Sequence, residues 1–190
     1  MNLYRSIGQG LKKQYSSEPK GNVARHLNTL TNFVYGILKS RRVTLSEVAS
    51  EIPNAGKEES KVKQLKHWIS NERIEYEVYF LPFIQALLQS LSNHSLILVI
   101  DGSVVGRGCV TLMVSVVYKN RTLPLIWVTR KGKKGHFPET MHVELIEATR
   151  KLIPAGADVV VLGDGEFDGT DWLSTIRKLG WNYVCRTAKV

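Results

Sequence analysis

Two aspartates stand where a run of β-branched residues gives way to glycine. Asp101 closes Leu96-Ile97-Leu98-Val99-Ile100 and is followed by Gly102-Ser103. Asp164 closes Val159-Val160-Val161-Leu162-Gly163 and is followed by Gly165-Glu166-Phe167-Asp168-Gly169. Short continuous apolar runs ended by Asp-Gly predict buried strands that stop at the edge of a sheet. If the two strands are parallel neighbours, both carboxylates emerge at one edge. Paired carboxylates are hard oxygen ligands suited to Mg²⁺ or Mn²⁺. Taken singly, each Asp reads more readily as the residue that merely closes a turn.

The elements between them bear on that choice. Val110 to Tyr118 and Arg121 to Thr129 are β-rich runs about the polar pair Lys119-Asn120, which predicts a hairpin. Pro124 has no backbone N–H, so the third strand belongs at the sheet edge. Met141, Leu145, Ala148 and Leu152 repeat at helical spacing, with Pro138 near the start. After the strand that ends in Asp164, Trp172, Ile176 and Leu179 mark a second helix stopped by Gly180. Asn182 to Arg186 reads as a last strand. The predicted fold is therefore α/β: a β-β-β-α-β-α-β mixed sheet of order 3-2-1-4-5, the ribonuclease-H-like arrangement, preceded by an α-helical region. In that order Asp101 and Asp164 are neighbours.

Ile100-Asp101-Gly102-Ser103 followed by a hairpin, and then Leu162-Gly163-Asp164-Gly165-Glu166-Phe167, resembles the DDE transposases of bacterial insertion sequences, most closely insertion-sequence family four. Val43-Thr44-Leu45-Ser46 to Ile69-Ser70-Asn71, with His67-Trp68 near its end, is similar to that group as well. The resemblance runs from about residue 25 onward. It implies DNA cleavage and strand transfer with two divalent ions, Mg²⁺ or Mn²⁺, held by two Asp and a later Glu. It assigns Asp101 and Asp164 as the first two ligands and supplies no third. The family's Glu lies on a helix after the last strand, and this sequence has no acidic residue after Asp171. The chain thus corresponds to the front portion of such an enzyme, with Glu166 a loop residue beside the ligands. The resemblance also implies double-stranded DNA as partner, a homodimer on DNA, and a bacterial cytoplasmic, nucleoid-associated location. Two other readings stand beside it: a complete metal-dependent nuclease of the same fold, and a catalytically inactive remnant that binds element ends.

Composition fits a nucleic-acid partner. The 190 residues carry a net charge of +9, with a pI of about 9.6 and 43% apolar residues. No apolar run approaches the ~20 residues of a membrane span. Cys109 and Cys185 form neither a disulfide framework nor a metal motif and read as free thiols.

Residues 1–92 read as helical and 93–190 as the ribonuclease-H-like domain. Val23, Leu27, Leu30, Val34 and Ile37 form one apolar stripe. Thr44 and Glu47 make a capping-box pattern before a short helix, and Val62, Leu65, Trp68 and Ile69 line a second. Lys61, Lys63 and Lys66 stud that second helix, as in a helix-turn-helix-like DNA-binding unit or an ordinary bundle with a solvated basic face. Arg130, Lys131, Lys133 and Lys134 form a second basic cluster, and Arg186 and Lys189 end the last strand. Side chains and amides in such loops reach phosphates; a solvated loop is the alternative. His136 and His142 read as loop and helix residues, and Trp127, Trp172 and Trp181 as packing groups.

Overall fold

A computed structural model describes residues 2–133 and 137–186. The chain divides into two compact units, Met1–Ala86 and Leu87–Val190. The first is helical: α1 (Leu3–Lys12), α2 (Gly21–Ser40), α3 (Leu45–Ser50), α4 (Glu58–Ile69), α5 (Tyr76–Tyr79), and the first half of α6 (Leu81–Leu91). Val48, Ala49, Ile52 and Leu65 form its buried centre, with Phe33, Leu45 and Val62 packed around them. Apart from Ile52, just past α3, these come from α2, α3 and α4, whose apolar positions recur every three or four residues. Gly36 lets α2 and α3 touch, since a Cβ there would lie 2.5 Å from the Val48 carbonyl oxygen. Thr44 is the residue before α3, as its spacing predicts, but its hydroxyl bonds the Glu47 carboxylate rather than a backbone N–H.

The second unit is a five-stranded mixed sheet in the order β3-β2-β1-β4-β5. Its elements are β1 (Leu96–Gly106), β2 (Cys109–Tyr118), β3 (Arg121–Lys131), α7 (Glu139–Arg150), β4 (Val159–Gly163), α8 (Thr170–Lys178) and β5 (Asn182–Cys185). β1–β2 and β2–β3 are antiparallel; β1–β4 and β4–β5 are parallel. This is the ribonuclease-H-like order expected from the sequence. Pro124 lies on edge strand β3 beside a register shift, as its missing N–H predicts.

Alternation along the strands separates the two faces. Leu96, Leu98, Ile100 and Gly102 are buried, as are Val159 and Val161 on β4. α7 and α8 pack against each other, and His142, Leu145, Ile146, Trp172 and Ile176 are their buried residues on the core side. The opposite parity, Ile97, Asp101 and Ser103, is exposed.

Candidate metal and nucleic-acid site

The parallel register directs both aspartates to the same end of adjacent strands. Leu96 pairs with Val159, and the pairing runs in step to Val99 with Leu162. Two residues further along each chain are Asp101 and Asp164, which the same register, carried two steps past its last pair, would set opposite each other. Neighbouring strands lie about 4.8 Å apart. Both residues share the parity of Val99 and Leu162, and both are exposed. β1 differs from expectation in one respect. It does not stop at Asp101 but continues to Gly106, because β2 stays paired with it through Ser103–Thr111 and Val104–Val110. Asp101 is thus an interior strand residue, whereas Asp164 is the first residue beyond β4.

Local bonds orient each carboxylate. The Ser103 hydroxyl donates to Asp101 Oδ2 at 3.0 Å. The Glu166 backbone N–H donates to Asp164 Oδ1 at 3.0 Å, the short loop that an Asp-x-x turn makes. The glycines of both motifs answer to crowding. A Cβ on Gly102 would meet the Phe137 ring at 3.4 Å and the Glu166 carboxylate at 3.8 Å. A Cβ on Gly163 would lie 2.8 Å from Phe167 Cβ. Phe167 is buried with His142 and Trp172, at ring separations of 4.8 and 6.0 Å.

Glu139 is a supporting residue that sequence reasoning did not single out. Its Oε1 accepts from the Trp172 backbone N–H at 2.9 Å, so a side chain of α7 caps the N-terminus of α8. Gly169 precedes α8, and a Cβ there would collide with that carboxylate. His142, on the next turn of α7, is 3% exposed, and its Nε2 has no hydrogen-bond partner among the described residues. Burial pushes its pKa below the ordinary histidine value, partly opposed by the Glu139 charge. Burial raises the Cys185 thiol, and Cys109 and Cys185 are both free.

Two exposed carboxylates from adjacent strands are the kind of hard oxygen donors that Mg²⁺ or Mn²⁺ takes. Among the described residues, no group of three His, Cys, Asp or Glu side chains could hold a metal.

The basic residues divide by what they touch. Lys61 is committed internally: its ammonium donates to the Ile52 carbonyl at 2.9 Å, tying α4 to the end of α3. Lys63 and Lys66 are exposed on α4. Lys63 also lines a polar cleft with Arg25, Gln64 and His67. The Arg130 guanidinium lies over the Phe137 ring at 4.8 Å and reaches Met141 Sδ at 3.1 Å, so it packs rather than projects. Lys131 and Lys133 are exposed. Arg186 is exposed one residue past β5, and its N–H donates to the Gly163 carbonyl at 3.2 Å, next in sequence to Asp164. Lys134, His136 and Lys189 lie outside the described residues. Trp172 and Trp181 are packing groups, 0% and 7% exposed; Trp127, on β3, is 41% exposed.

The sequence matches no protein-family model and no curated protein. Among solved structures, the chain is similar to the Aquifex aeolicus member of the Ppx/GppA protein family, with 12% identity and a TM-score of 0.22. That match covers 48% of this chain and 35% of the other, about a third of its length. A likeness of that size carries no functional argument. Among the described residues, no helix is long and apolar enough to cross a membrane.

Proposed function

We propose that this chain is a DNA transposase, or the front portion of one, that cleaves and joins phosphodiesters at insertion-sequence ends with Mg²⁺ or Mn²⁺. The observation that carries the reading is the parallel register of β1 and β4, in step to Val99 with Leu162, two residues before the exposed Asp101 and Asp164. In this reading the two carboxylates hold the cation. Ser103 keeps Asp101 in its rotamer, and the Glu166 amide keeps Asp164 in its own. A divalent cation there supplies activation of the attacking water or 3′-hydroxyl and neutralises charge on the phosphate. In this reading Arg186, whose backbone N–H bonds the Gly163 carbonyl, meets the backbone of the strand being cut. Lys63, Lys66, Lys131 and Lys133 are free to meet other phosphates of duplex DNA, in keeping with the +9 net charge.

The third carboxylate of the reading comes from a helix joined after β5 or from a second subunit of a homodimer on DNA. The protein then works in the bacterial cytoplasm, on the nucleoid. A non-cleaving DNA-binding chain is the second reading, favoured by the lack of a three-ligand cluster among the described residues.

Two measurements test this. Mn²⁺ binding, followed by loss of the free-ion paramagnetic resonance signal, is expected for the native chain and lost in Asp101→Asn and Asp164→Asn. Supercoiled plasmid with Mg²⁺ is expected to be bound and barely nicked by the 190 residues, and nicked once a Glu-bearing helix is supplied after β5. Mn²⁺ binding that both Asn variants retain would remove the metal site from this pair. Strong nicking by the 190 residues alone, abolished by Asp164→Ala, would show that the chain completes its own ligand set.

A further inference from the structure

The β1–β2 ribbon, with β3 alongside it as far as Lys131, outruns β4 and β5. β4 ends at Gly163, while β1 continues five residues past Asp101 to Gly106. At ~3.3 Å per residue the ribbon extends roughly 17 Å beyond Asp101. It closes through Gly106, Arg107 and Gly108, with φ values of 89°, 51° and 68°. Val104 and Val105 precede that turn and are 61% and 55% exposed. Val105 is the extra residue of a β-bulge, since Val104 pairs with Val110 and Gly106 with Cys109. Bulges re-aim side chains at functional edges.

Beyond Asp101 the charge on the three strands of this tip has one sign. From Gly102 through Pro138 the sequence contains no Asp or Glu, while Arg107, Lys131 and Lys133 are exposed here. Lys131 pairs with Cys109, and Gly132 N–H donates to the Gly108 carbonyl at 2.9 Å, which holds the β3 end against the tip. Two open valines followed by exposed cations, with Asp101 the nearest carboxylate in sequence and none after it until Glu139, complement a polyanion that also offers an apolar surface. Duplex DNA is such a partner: ribbon arms enter its grooves, apolar side chains press between base steps, and cations take the flanking phosphates.

We propose that the β1–β2 tip is a DNA-contacting arm, with Val104 and Val105 against the bases in the minor groove and Arg107, Lys131 and Lys133 on the adjoining phosphates. The arm shares its partner, DNA, with the reading above, and its test needs no cleavage. Its length sets the contact about five nucleotides from Asp101, at ~3.4 Å per step along one strand.

The test uses the full chain and duplexes carrying 2-aminopurine at TA and CA steps, the steps that unstack most easily. Native protein is expected to raise 2-aminopurine fluorescence on binding. Val104→Ser with Val105→Ser should abolish that rise and leave the salt dependence of binding within about half a unit of the native log–log slope. Arg107→Ala, Lys131→Ala and Lys133→Ala together should lower the slope by roughly 2.7, about 0.9 per phosphate contact. Circular-dichroism melts of both variants confirm folding; a variant that fails to fold is replaced by Val104→Thr/Val105→Thr or by the three cations changed to Gln. Binding without a fluorescence rise, or a rise that the serine pair retains, overturns the wedge. An unchanged slope in the cation variant overturns the phosphate contacts. If the serine pair instead abolishes self-association in sedimentation and leaves DNA binding untouched, the tip is an interface between copies and the proposal falls. DNA binding with these signatures but no cutting by any completed chain would sink only the cleavage reading.

Discussion

Gly169 is a glycine for want of space, and removing what crowds it should reverse the cost of replacing it. Its φ and ψ, −62° and 145°, suit any residue. A Cβ there, however, would lie 2.5 Å from Glu139 Cδ, in the carboxylate that caps α8 through the Trp172 N–H. In Gly169→Ala the Glu139 side chain has to swing away, and the charge-assisted cap is lost. Such a cap contributes about 1–2 kcal/mol, with ~0.3–1 kcal/mol more from a negative charge at a helix N-terminus. Gly169→Ala and Glu139→Ala are each expected to destabilise by about 1–2 kcal/mol, a fall in Tm of ~2–8 °C. In the Glu139→Ala background the added Gly169→Ala should be close to neutral. There the poorer capping by Ala is offset by the ~0.4–1 kcal/mol gained from restricting the unfolded chain. Urea unfolding of the four proteins gives the coupling energy, expected at about 1–2 kcal/mol. Amide exchange at Trp172 should accelerate in both single variants and no further in the double. If Gly169→Ala costs as much with alanine at 139 as with glutamate, crowding by Glu139 is not why position 169 is glycine.

Gly36→Ala should destabilise the helical unit by about 1–3 kcal/mol, read by urea unfolding, since its Cβ would press on the Val48 carbonyl. His142 has a depressed pKa in the fold, so the unfolded chain takes up its proton first as pH falls. Stability should therefore be full above the ordinary histidine pKa of ~6.5 and fall as pH drops from there through the lowered folded value. Unfolding at pH 7.5 against pH 5.5 should show that loss in the native chain and a smaller one in His142→Phe. Lys63→Ala should reduce the log–log salt slope of DNA binding by about 0.9, measured by anisotropy. Lys61→Ala, which removes a bond to the Ile52 carbonyl, should leave that slope unchanged and lower thermal stability.

The sheet was legible because its signals are local or topological. Apolar runs marked β1 and β4, the polar pair Lys119-Asn120 marked a hairpin, and Pro124 marked an edge. The alternation of helices and strands then restricted the strand order to one that fits a ribonuclease-H-like sheet. The end of β1 was misread for a physical reason. Asp-Gly commonly closes a strand, but at Gly102 the missing side chain makes room for Phe137 while the ladder to β2 runs on. Thr44 and Glu47 were legible as a helix start, but the bonds they make were not, because a hydroxyl can choose between a backbone N–H and a carboxylate.

The two halves of the candidate site differ in the same way. The Asp101–Asp164 relation follows from the order of strands and the step of a parallel register, both countable along a sequence. The residues that hold the loop after Asp164 depend on contacts between distant segments. Glu139 reaches Trp172 across 33 positions, and no period or motif joins them. The basic residues show the limit from the other side. Lys61 and Arg130 carry the same charge as Lys63 and Lys131 and sit in the same runs, yet one is bonded to a carbonyl and the other lies on an aromatic ring. Charge counted from sequence therefore sets an upper bound on phosphate contacts. Among the cations named for DNA and described, Lys63, Lys66, Lys131, Lys133 and Arg186 remain exposed and uncommitted to such bonds. Adding Arg107 makes six, and at about 0.9 per contact a salt slope much steeper than roughly −5.4 would require phosphate contacts beyond these side chains.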